Sequence, residues 1–410
     1  MRIYFMENSK KARALEFTLA LGCSLQCKYC PQEKLQKAYR LHKVRKMSMD
    51  TFKRCLSQIE LGGGVIISGM VEPFHNENCA EMIKYAFDNG YKVRLFTSLT
   101  GVTEKDLDIL EKISFDELTI HIPDQKFNSK FRLTKEYLNI FEQTMKRLGN
   151  QISAYSVHGE IHESVKDMLL KDKVITSSMF DRVGNLEYEE LPKTKPKGRI
   201  RCMAGSATNI GIWTPEVLPD GTVTLCCMDY GMQHVLGNLV RQEWKEIAEG
   251  EEYQKILKGF EDDSINNLCR SCSGAREEKN WPSSMVKKII EQYNEKGVLP
   301  KKNAEKWREY IEAIANAKHI AVFGMGRLFY DQYFYGAWDE VMQAEVFSDN
   351  NSNMWGQEIQ GIPCVNPEKL KEYEDLLVVV FVKNDMEIGE QLKKMNIKTI
   401  IPIMNIYSIL

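Results

Sequence analysis

The chain has 410 residues, of which 43% are hydrophobic and 27% are charged, so it has an ordinary globular composition and enough length for two or three domains. Its 55 Lys and Arg nearly balance its 57 Asp and Glu, and the formal charge of −2 gives no electrostatic basis for binding nucleic acid. The start lacks the apolar core of a signal peptide, and the longest apolar run, residues 376–382, is too short to cross a bilayer. We therefore expect a cytoplasmic protein without membrane insertion.

Eleven cysteines would be unusual for a disulfide scaffold of this size in a reducing compartment, where disulfides are rare. Seven or eight of them fall into two groups whose spacing suits metal ligation. Cys55, Cys79 and Cys364 are scattered, and we expect them to be buried as small apolar side chains.

The first predicted strand covers the apolar run at residues 15–21 and leads into a short loop with three cysteines. Cys23, Cys27 and Cys30 have C-x-x-x-C-x-x-C spacing. Thiolates this close together indicate metal ligands, and soft sulfur ligands select iron–sulfur clusters, zinc or copper(I). A structural zinc site needs a fourth ligand, and His42 is the nearest imidazole. Around a four-iron cluster, three thiolates leave one iron open to another ligand.

A basic segment and a predicted helix follow the cysteine loop. Ser48 is a good N-cap for a helix to about Glu60, and the glycines from Gly62 lead into a buried strand that ends near Ser68. The basic segment predicts either a solvated mobile loop or an anion-binding flap over the site. Its charged residues are Lys34, Lys37, Arg40, His42, Lys43, Arg45 and Lys46.

The cysteine loop resembles the signature of the radical S-adenosylmethionine (SAM) superfamily, in which an aromatic residue, here Tyr29, precedes the third cysteine. The resemblance implies that the open iron of a 4Fe-4S cluster binds SAM, and that an electron from the cluster splits it. A 5′-deoxyadenosyl radical then takes a hydrogen atom from the substrate. Glu72 and Pro73 match the family's second motif, whose glutamate and backbone hold the amino group of SAM. Val71 stands where that motif usually has glycine, and valine cannot adopt every glycine conformation.

Helices and strands then alternate along the chain, which argues for parallel βαβ units. Counted from Glu16 there are six strands, and six matches the partial (β/α)6 barrel that the resemblance implies. The predicted elements are a helix at 76–89, a strand at 92–97, a helix at 103–112, a strand at 115–122, a helix at 131–147, a strand at 152–157, a helix after His162 and a short strand at 179–183.

Chemistry in parallel α/β folds lies at the carboxyl ends of the strands. This rule nominates Thr97 and Ser98 for the ribose and methionine carboxylate of SAM, although relatives often have Asn-Gly where this chain has Ser98 and Leu99. A hydrogen-bonded structural role is the alternative for each histidine, and no residue is identified as a general base. The other side chains that the rule places near substrate or SAM are His121, His158, Glu160 and Arg182.

The second cysteine group follows a stretch rich in Lys and Pro at residues 191–201, which predicts an exposed linker. A turn signal, Pro219-Asp-Gly-Thr, lies between two strand-like segments and places Cys226 on the second arm of a hairpin. Four thiolates with a C-x-x-C pair suit zinc as well as an iron–sulfur cluster. They are Cys202, Cys226, Cys269 and Cys272.

The order of motifs in this segment resembles the SPASM and Twitch extensions of radical SAM enzymes. The shorter, Twitch-like version carries one auxiliary 4Fe-4S cluster, and the resemblance implies these four cysteines as its ligands, with Cys227 able to replace Cys226. A cluster with four protein ligands has no free iron for substrate, so its expected role is to accept or relay one electron. The alternative is a cluster or zinc ion that only holds the hairpin together.

The last third begins with charged amphipathic helices at about 285–317, which predict a connector. A strand then leads to a Gly-x-Gly turn at Gly324 and Gly326, and Asp349 ends the next strand, where a ribose-binding acid would stand. Phe329 replaces the third glycine of the fingerprint. The segment looks like the small Rossmann-like domains of enzymes that build sugars and surface polysaccharides. It predicts a nucleotide- or nucleotide-sugar-binding module or, alternatively, a structural or dimerisation domain.

The sequence thus predicts an α/β protein whose first hypothesis is a radical SAM oxidoreductase acting on a carbohydrate or nucleotide-linked substrate, with the auxiliary cluster taking the second electron. Epimerisation or dehydration at the same carbon stays open. A SPASM-type peptide- or protein-modifying maturase is the second hypothesis, although the cysteine loop starts too early to leave room for an N-terminal leader-peptide domain, and a non-catalytic iron–sulfur protein is the third. The expected electron donor resembles flavodoxin or ferredoxin. The predicted domains are a barrel at 1–190, a small α+β cluster domain at 191–284, the connector at 285–317 and the Rossmann-like domain at 318–410.

Overall fold

The structure is a computed structural model that describes residues 11–176, 182–186, 196–202, 214–277, 282–329, 333, 338–359, 361–382 and 385–410. The chain divides into two compact units. The first consists of Met1–Lys197 and Trp213–Ala275, and the second of Gly198–Ile212 and Arg276–Leu410.

Six parallel strands form the centre of the first unit, and each pairs with the next along the chain. They are β1 (Ala12–Phe17), β2 (Ile59–Ile67), β3 (Lys92–Thr97), β4 (Glu117–His121), β5 (Ala154–Val157) and β6 (Val174–Thr176). The helices between them are α1 (Gln32–Ala38), α2 (Met49–Leu56), α3 (Cys79–Asp88), α4 (Glu104–Leu110), α5 (Lys135–Leu148) and α6 (Glu163–Lys166). All six strands therefore end at the same edge of the sheet.

Local sequence explains most of these boundaries. Ser48, Thr103 and Thr134 each accept a backbone N–H of the first helical turn, so α2, α4 and α5 begin directly after them. Cys55 and Cys79 are fully buried, as predicted. The structure differs from the prediction at α1, which occupies part of the basic segment expected to be a loop or flap. Leu35 and Tyr39 are fully buried there and anchor one face of the helical segment.

The last predicted strand of the barrel, at 179–183, is absent from the described part of that range. Residues 179–181 lie outside the described part, whereas Arg182 and Val183 lie in a turn with φ of +48° and +61°. The sixth parallel strand is β6 instead, a few residues earlier in the chain.

Four further strands follow: β7 (Ile200–Cys202), β8 (Glu216–Val217), β9 (Thr222–Thr224) and β10 (Val235–Asn238). Strand β8 pairs in parallel with β1, and β9 and β10 continue antiparallel, which completes a nine-stranded sheet in the first unit. Two helices follow, α7 (Trp244–Ala248) and α8 (Glu251–Glu261). The predicted hairpin is present, but Cys226 lies just beyond β9 and not on it.

The second unit contains a parallel sheet and the helices expected as a connector. Strand β11 (Ala275–Glu277) pairs with β7, and α9 (Pro282–Lys296) and α10 (Ala304–Asn316) contribute Val286 and Trp307 to the main core of the unit. The six-stranded sheet has the order β14-β15-β13-β12-β16-β17, in which β14 alone is antiparallel to its neighbour. Its elements are β12 (His319–Phe323), α11 (Arg327–Phe329), β13 (Val346–Ser348), β14 (Glu358–Ile359), β15 (Ile362–Val365), β16 (Leu376–Val380), α12 (Met386–Lys394), β17 (Thr399–Pro402) and α13 (Ile403–Ile409).

Cys364 is fully buried in this second unit, as predicted. Within the described residues, none of the helices is long and apolar enough to span a membrane.

Candidate functional site

A cavity at the carboxyl edge of the parallel sheet contains most of the side chains predicted for the first site. Its volume is about 140 Å³, which is below the usual range of small-molecule sites, and it opens to solvent. Thr97 is buried and does not line the cavity, and Glu160 is exposed on a loop away from it. The predicted residues that line it are Cys23, Cys27, Tyr29, Cys30, Glu72, Pro73, Ser98, His121, His158 and Arg182.

The cysteine loop is held in place by the segment that carries the second motif. The ring of His75 contacts the carbonyl of Gly22 through Nδ1 at 3.2 Å and the hydroxyl of Ser24 through Nε2 at 3.3 Å. The backbone N–H of Lys28 donates to the carbonyl of Asn128 at 2.8 Å, which ties the loop to the chain after β4. The motif at residues 72–75 therefore positions the cysteines. Sequence reasoning assigned no role to His75, although its place directly after the second motif was visible.

Glu72 is a buried carboxylate surrounded by hydrogen-bond donors. The Thr97 hydroxyl donates to Oε1 at 2.6 Å, and the backbone N–H and hydroxyl of Ser98 donate to Oε2 at 2.7 and 2.6 Å. Burial raises the pKa of Glu72, and the donors from Ser98 and Thr97 oppose that shift. The hydroxyls proposed for SAM thus hold Glu72, so Thr97 and Ser98 position the glutamate in this structure.

Backbone conformation explains two departures from the family motifs. Val71 is not among the residues with positive φ, so its position does not require glycine. The glycine requirement lies at Gly69, with φ of +72°, where a Cβ would stand 2.1 Å from Oγ1 of Thr18. Leu99 has φ of +62°, a conformation that glycine adopts without cost and that leucine adopts only when its surroundings impose it.

The three thiols fit a role as metal ligands by their shared cavity and their chemistry. Burial raises the pKa of Cys23 and raises the pKa of Cys27 to about 11, and the neighbouring cysteines reinforce both shifts. Without metal the thiols of Cys23 and Cys27 are therefore protonated at neutral pH, and iron binding must displace their protons. In the described part of the chain, no three His, Cys, Asp or Glu are arranged to hold a single metal ion. The observation that groups the three sulfurs is that all of them line the same cavity.

Cys30 has three hydrogen-bonding neighbours that the sequence did not reveal, one of which is the carbonyl oxygen of Met70 at 4.0 Å from its Sγ. The hydroxyl of Tyr230 lies 3.2 Å from its Sγ, and Nε2 of Gln32 lies 3.2 Å from the same atom. Tyr230 also lines the cavity and is almost fully buried. It comes from the turn after β9, which joins the second cysteine group to the first site.

Arg182 and His121 define the electrostatics of the cavity wall. Burial acts to lower the pKa of Arg182, but the nearby Tyr230, Cys227 and Cys30 are among the groups that raise it overall. Burial lowers the pKa of His121 to about 4, helped by His158 and Arg182, so its imidazole is neutral at pH 7. The cavity thus presents a guanidinium and a neutral imidazole.

A pair of buried carboxylates lies directly behind this wall. Glu16 of β1 and Glu216 of β8 stand opposite each other in register. Glu216 accepts the Thr18 hydroxyl at 2.6 Å through Oε1, whereas its buried Oε2 has no hydrogen-bond partner in the part of the chain that the structure describes. Glu16 accepts the Gly69 N–H at 3.0 Å and a hydrogen bond from Cys227. Burial raises the pKa of both carboxyls, and their mutual repulsion raises that of Glu216 further.

The second cysteine group is organised by two buried polar side chains in the first unit. The backbone carbonyl of His234 accepts the N–H of Leu225, and the side-chain Nε2 of His234 accepts the N–H of Leu268 at 3.2 Å. These bonds hold the chain beside Cys226 and Cys269. Arg270, inside the C-x-x-C pair, donates to the carbonyls of Gly259 and Phe260 at the end of α8. Cys272 belongs to the same unit, whereas Cys202 lies on β7 of the other unit.

The Gly-x-Gly turn of the second unit is bound by the acid proposed for ribose. The N–H of Met325 donates to Oδ2 of Asp349 at 2.6 Å, and the N–H of Asn351 donates to Oδ1 at 2.8 Å. Gly324 has φ of +92° and no space for a Cβ, whereas Gly326 has open space. In a dinucleotide site such turn N–H groups face a phosphate. Here one of them is already bonded to a carboxylate.

Two family models match parts of the chain. Residues 18–166 match the Radical SAM superfamily, and residues 214–273 match SPASM, an iron-sulfur cluster-binding domain. None of the curated proteins matches this chain. These matches define a radical SAM protein with a SPASM domain. It is an enzyme whose cofactors are SAM, a 4Fe-4S cluster and auxiliary iron–sulfur, and it requires a reductant.

Several solved structures are similar to the chain at low identity. BtrN in complex with AdoMet and 2-DOIA is 17% identical with a TM-score of 0.45, over 64% of this chain and 92% of that one. Streptococcus suis SuiB bound to precursor peptide SuiA is 13% identical with a TM-score of 0.41, over 66% and 72%. Native anSMEcpe with bound AdoMet is 13% identical with a TM-score of 0.42, over 64% and 88%. Similarity at this level does not indicate a shared activity.

The carboxylate pair gives a prediction for stability against pH. The pKa of Glu216 in the folded protein is raised above its ordinary value of 4.5. The native state therefore loses stability as the pH rises from about 4.5 through the folded pKa. In Glu216→Gln the amide can donate to Glu16, and no charge is buried at residue 216. We expect the free energy of unfolding to increase by on the order of 1–2 kcal/mol at pH 8.5, and by less at pH 6. Anaerobic urea denaturation at both pH values measures this, and a gain independent of pH would contradict it.

Proposed function

We propose that the protein is a radical SAM oxidoreductase that oxidises a small, hydroxyl-bearing substrate of the carbohydrate or nucleotide-linked class. The observation that supports this most directly is that Cys23, Cys27 and Cys30 share one cavity with Glu72 and Arg182. In this proposal the cysteines hold the 4Fe-4S cluster, and Glu72 faces the amino group of SAM. When bound, SAM and this cluster supply the abstraction of a hydrogen atom from the substrate.

The cavity wall suits a hydroxyl-bearing molecule. His121 offers a neutral imidazole, and Arg182 offers a guanidinium that binds oxygen atoms. Aromatic side chains, Tyr29 among them, form part of the same wall and can pack against a ring face. These groups support a sugar-like ligand and fix its orientation by several contacts.

Oxidation of a carbinol carbon to a ketone removes one hydrogen atom, one proton and one electron. SAM, when bound beside Cys23, Cys27 and Cys30, would supply the radical that takes the hydrogen atom from the carbon. In this proposal the proton leaves the hydroxyl through Ser68, which lines the cavity and hydrogen-bonds to Glu16. Burial raises the pKa of Glu16, which makes its carboxylate a stronger proton acceptor than an exposed one. The auxiliary cluster, when bound by the second cysteine group, would supply the acceptor for the electron.

The ligands that we propose for the auxiliary cluster are Cys202, Cys226, Cys269 and Cys272. The choice of Cys226 over Cys227 is supported by the hydrogen bond between the Cys227 thiol and Glu16. Burial raises the pKa of Cys227 far above its usual range, and Glu16 and Glu216 add to this shift. A thiol in that environment is harder to convert to the thiolate that iron requires.

The main test is label transfer. The anaerobically reduced protein is incubated with SAM and a panel of sugars and nucleotide sugars deuterated at each carbinol carbon. We expect deuterium in 5′-deoxyadenosine from one substrate, and a product that is two hydrogens lighter. Cys30→Ala should form no 5′-deoxyadenosine, because the cluster loses one of its three ligands. Label from a peptide panel, with none from sugars, would contradict the substrate class and support the maturase hypothesis.

The role of the auxiliary cluster is tested separately with Cys269→Ala/Cys272→Ala. We expect iron to fall from about eight to about four per chain, because one of two four-iron clusters is lost. SAM cleavage should continue while oxidised product falls by at least about tenfold, since the substrate radical loses its electron acceptor. The control is Cys55→Ala/Cys364→Ala, which removes two buried thiols outside both groups. Full oxidation by the double variant without the second cluster would contradict an electron-accepting role.

For the second unit we propose a Rossmann-like fold with a structural role, because the carboxylate of Asp349 holds the turn N–H that a phosphate would need. The strand order β15-β13-β12-β16-β17 supports the fold. Isothermal titration of the full chain with UDP-, CDP- and GDP-sugars should give no saturable heat from this unit. Asp349→Asn removes the charge and serves as the comparison. Saturable binding that Gly326→Val abolishes would contradict the structural role.

A further inference from the structure

The turn after β9 connects the second cysteine group to the first site over a short stretch of chain. Cys226 and Tyr230 are separated by three residues, and the backbone N–H of Asp229 donates to the carbonyl of Cys226 at 2.9 Å. The buried carboxylate of Asp229 accepts the N–H groups of Gln233 and His234 at 2.8 and 2.9 Å. These bonds close the turn, so Tyr230 has a fixed position relative to Cys226.

Tyr230 is held on the side that faces Cys30. It packs among Ala20, Met70 and Val71 in a buried cluster, and only 2% of its surface is exposed. The guanidinium of Arg182 lies 6.0 Å from the centroid of the Tyr230 ring. The same arginine donates to Sδ of Met228, two residues before Tyr230. The tyrosine hydroxyl has the thiol of Cys30 at 3.2 Å as its hydrogen-bond partner.

The direction of this hydrogen bond follows from the chemistry of a metal ligand. A cysteine that binds iron is a thiolate and has no proton to donate, so the tyrosine must be the donor. Donors to cluster sulfurs stabilise the reduced state, which carries one more negative charge, and this raises the reduction potential. Gln32, at the start of helix α1, supplies a second donor close to Cys30 in the sequence, whereas Tyr230 lies 200 residues from Cys30 along the chain.

We propose that Tyr230 is a positioning residue that donates a hydrogen bond to the Cys30 thiolate and sets the reduction potential of the SAM-binding cluster from the turn of the auxiliary cysteine group. This inference rests on the proposed function, since it requires that Cys30 binds the cluster. Its consequence is that the turn which carries Cys226 also determines how readily the first cluster is reduced. The Tyr230 hydroxyl therefore couples the two cysteine groups.

The test is a redox titration of the iron-loaded full chain, followed by electron paramagnetic resonance. Tyr230→Phe keeps the ring and removes the hydroxyl, so we expect the midpoint potential of the SAM-binding cluster to become more negative at unchanged iron content. Reductive SAM cleavage at a fixed reductant potential should slow several-fold. The Cys269→Ala/Cys272→Ala background removes overlapping signals from the auxiliary cluster.

A matched control and a converse substitution make the result specific. Tyr155→Phe removes a buried tyrosine hydroxyl that contacts a methionine sulfur at 3.4 Å, away from the cavity, and should leave the potential unchanged. Replacing Tyr230 with 3-fluorotyrosine, a stronger donor of almost the same shape, should shift the potential in the positive direction. Opposite shifts cannot come from misfolding.

Two outcomes separate this inference from the proposed function. In the first outcome, SAM alters the cluster spectrum of the unmodified protein, but the potential of Tyr230→Phe is unchanged or shifts no more than that of Tyr155→Phe. The inference is then wrong, and the proposed function stands. If SAM does not alter the spectrum of the unmodified protein, the proposed function fails first.

Discussion

The buried carboxylate of Glu72 is the interaction on which the first site depends. A carboxylate taken out of water costs several kcal/mol unless donors surround it, and Thr97, Ser98 and Phe74 supply them. The same segment continues to His75, whose ring holds the cysteine loop. The edge of the sheet, the second motif and the three sulfurs are therefore one connected hydrogen-bonded structure.

The site also has to accommodate negative charge from several directions. Glu216 stands beside Glu16, and Glu16, Cys30 and Cys227 all interact with Arg182. Its guanidinium offsets part of this charge, and its positive φ shows that the surrounding structure imposes its position. Oε2 of Glu216 has no hydrogen-bond partner among the described residues, which agrees with the raised pKa of this buried carboxyl.

The second unit illustrates how a motif can have a different use. Gly324 has the conformation that the Gly-x-Gly pattern predicts, because β12 must turn sharply beside a neighbouring side chain. The acid at the end of β13 is also present, but it bonds to the turn itself and closes it. A pattern of glycines and one acid is thus compatible with both a phosphate site and a self-contained turn. The side-chain contact distinguishes them.

The sequence by itself determined features that depend on near neighbours: the cysteine spacing, the helix starts after Ser48, Thr103 and Thr134, and the alternation that gives parallel strands. Helix α1 was not predicted, because the basic residues of this segment indicated a loop and the buried positions of Leu35 and Tyr39 were not recognised. Only the tertiary structure decided that Glu216 stands beside Glu16 and that Tyr230 reaches Cys30, each across about 200 residues. Such contacts depend on which strand lies beside β1, and local propensity carries no information about that choice.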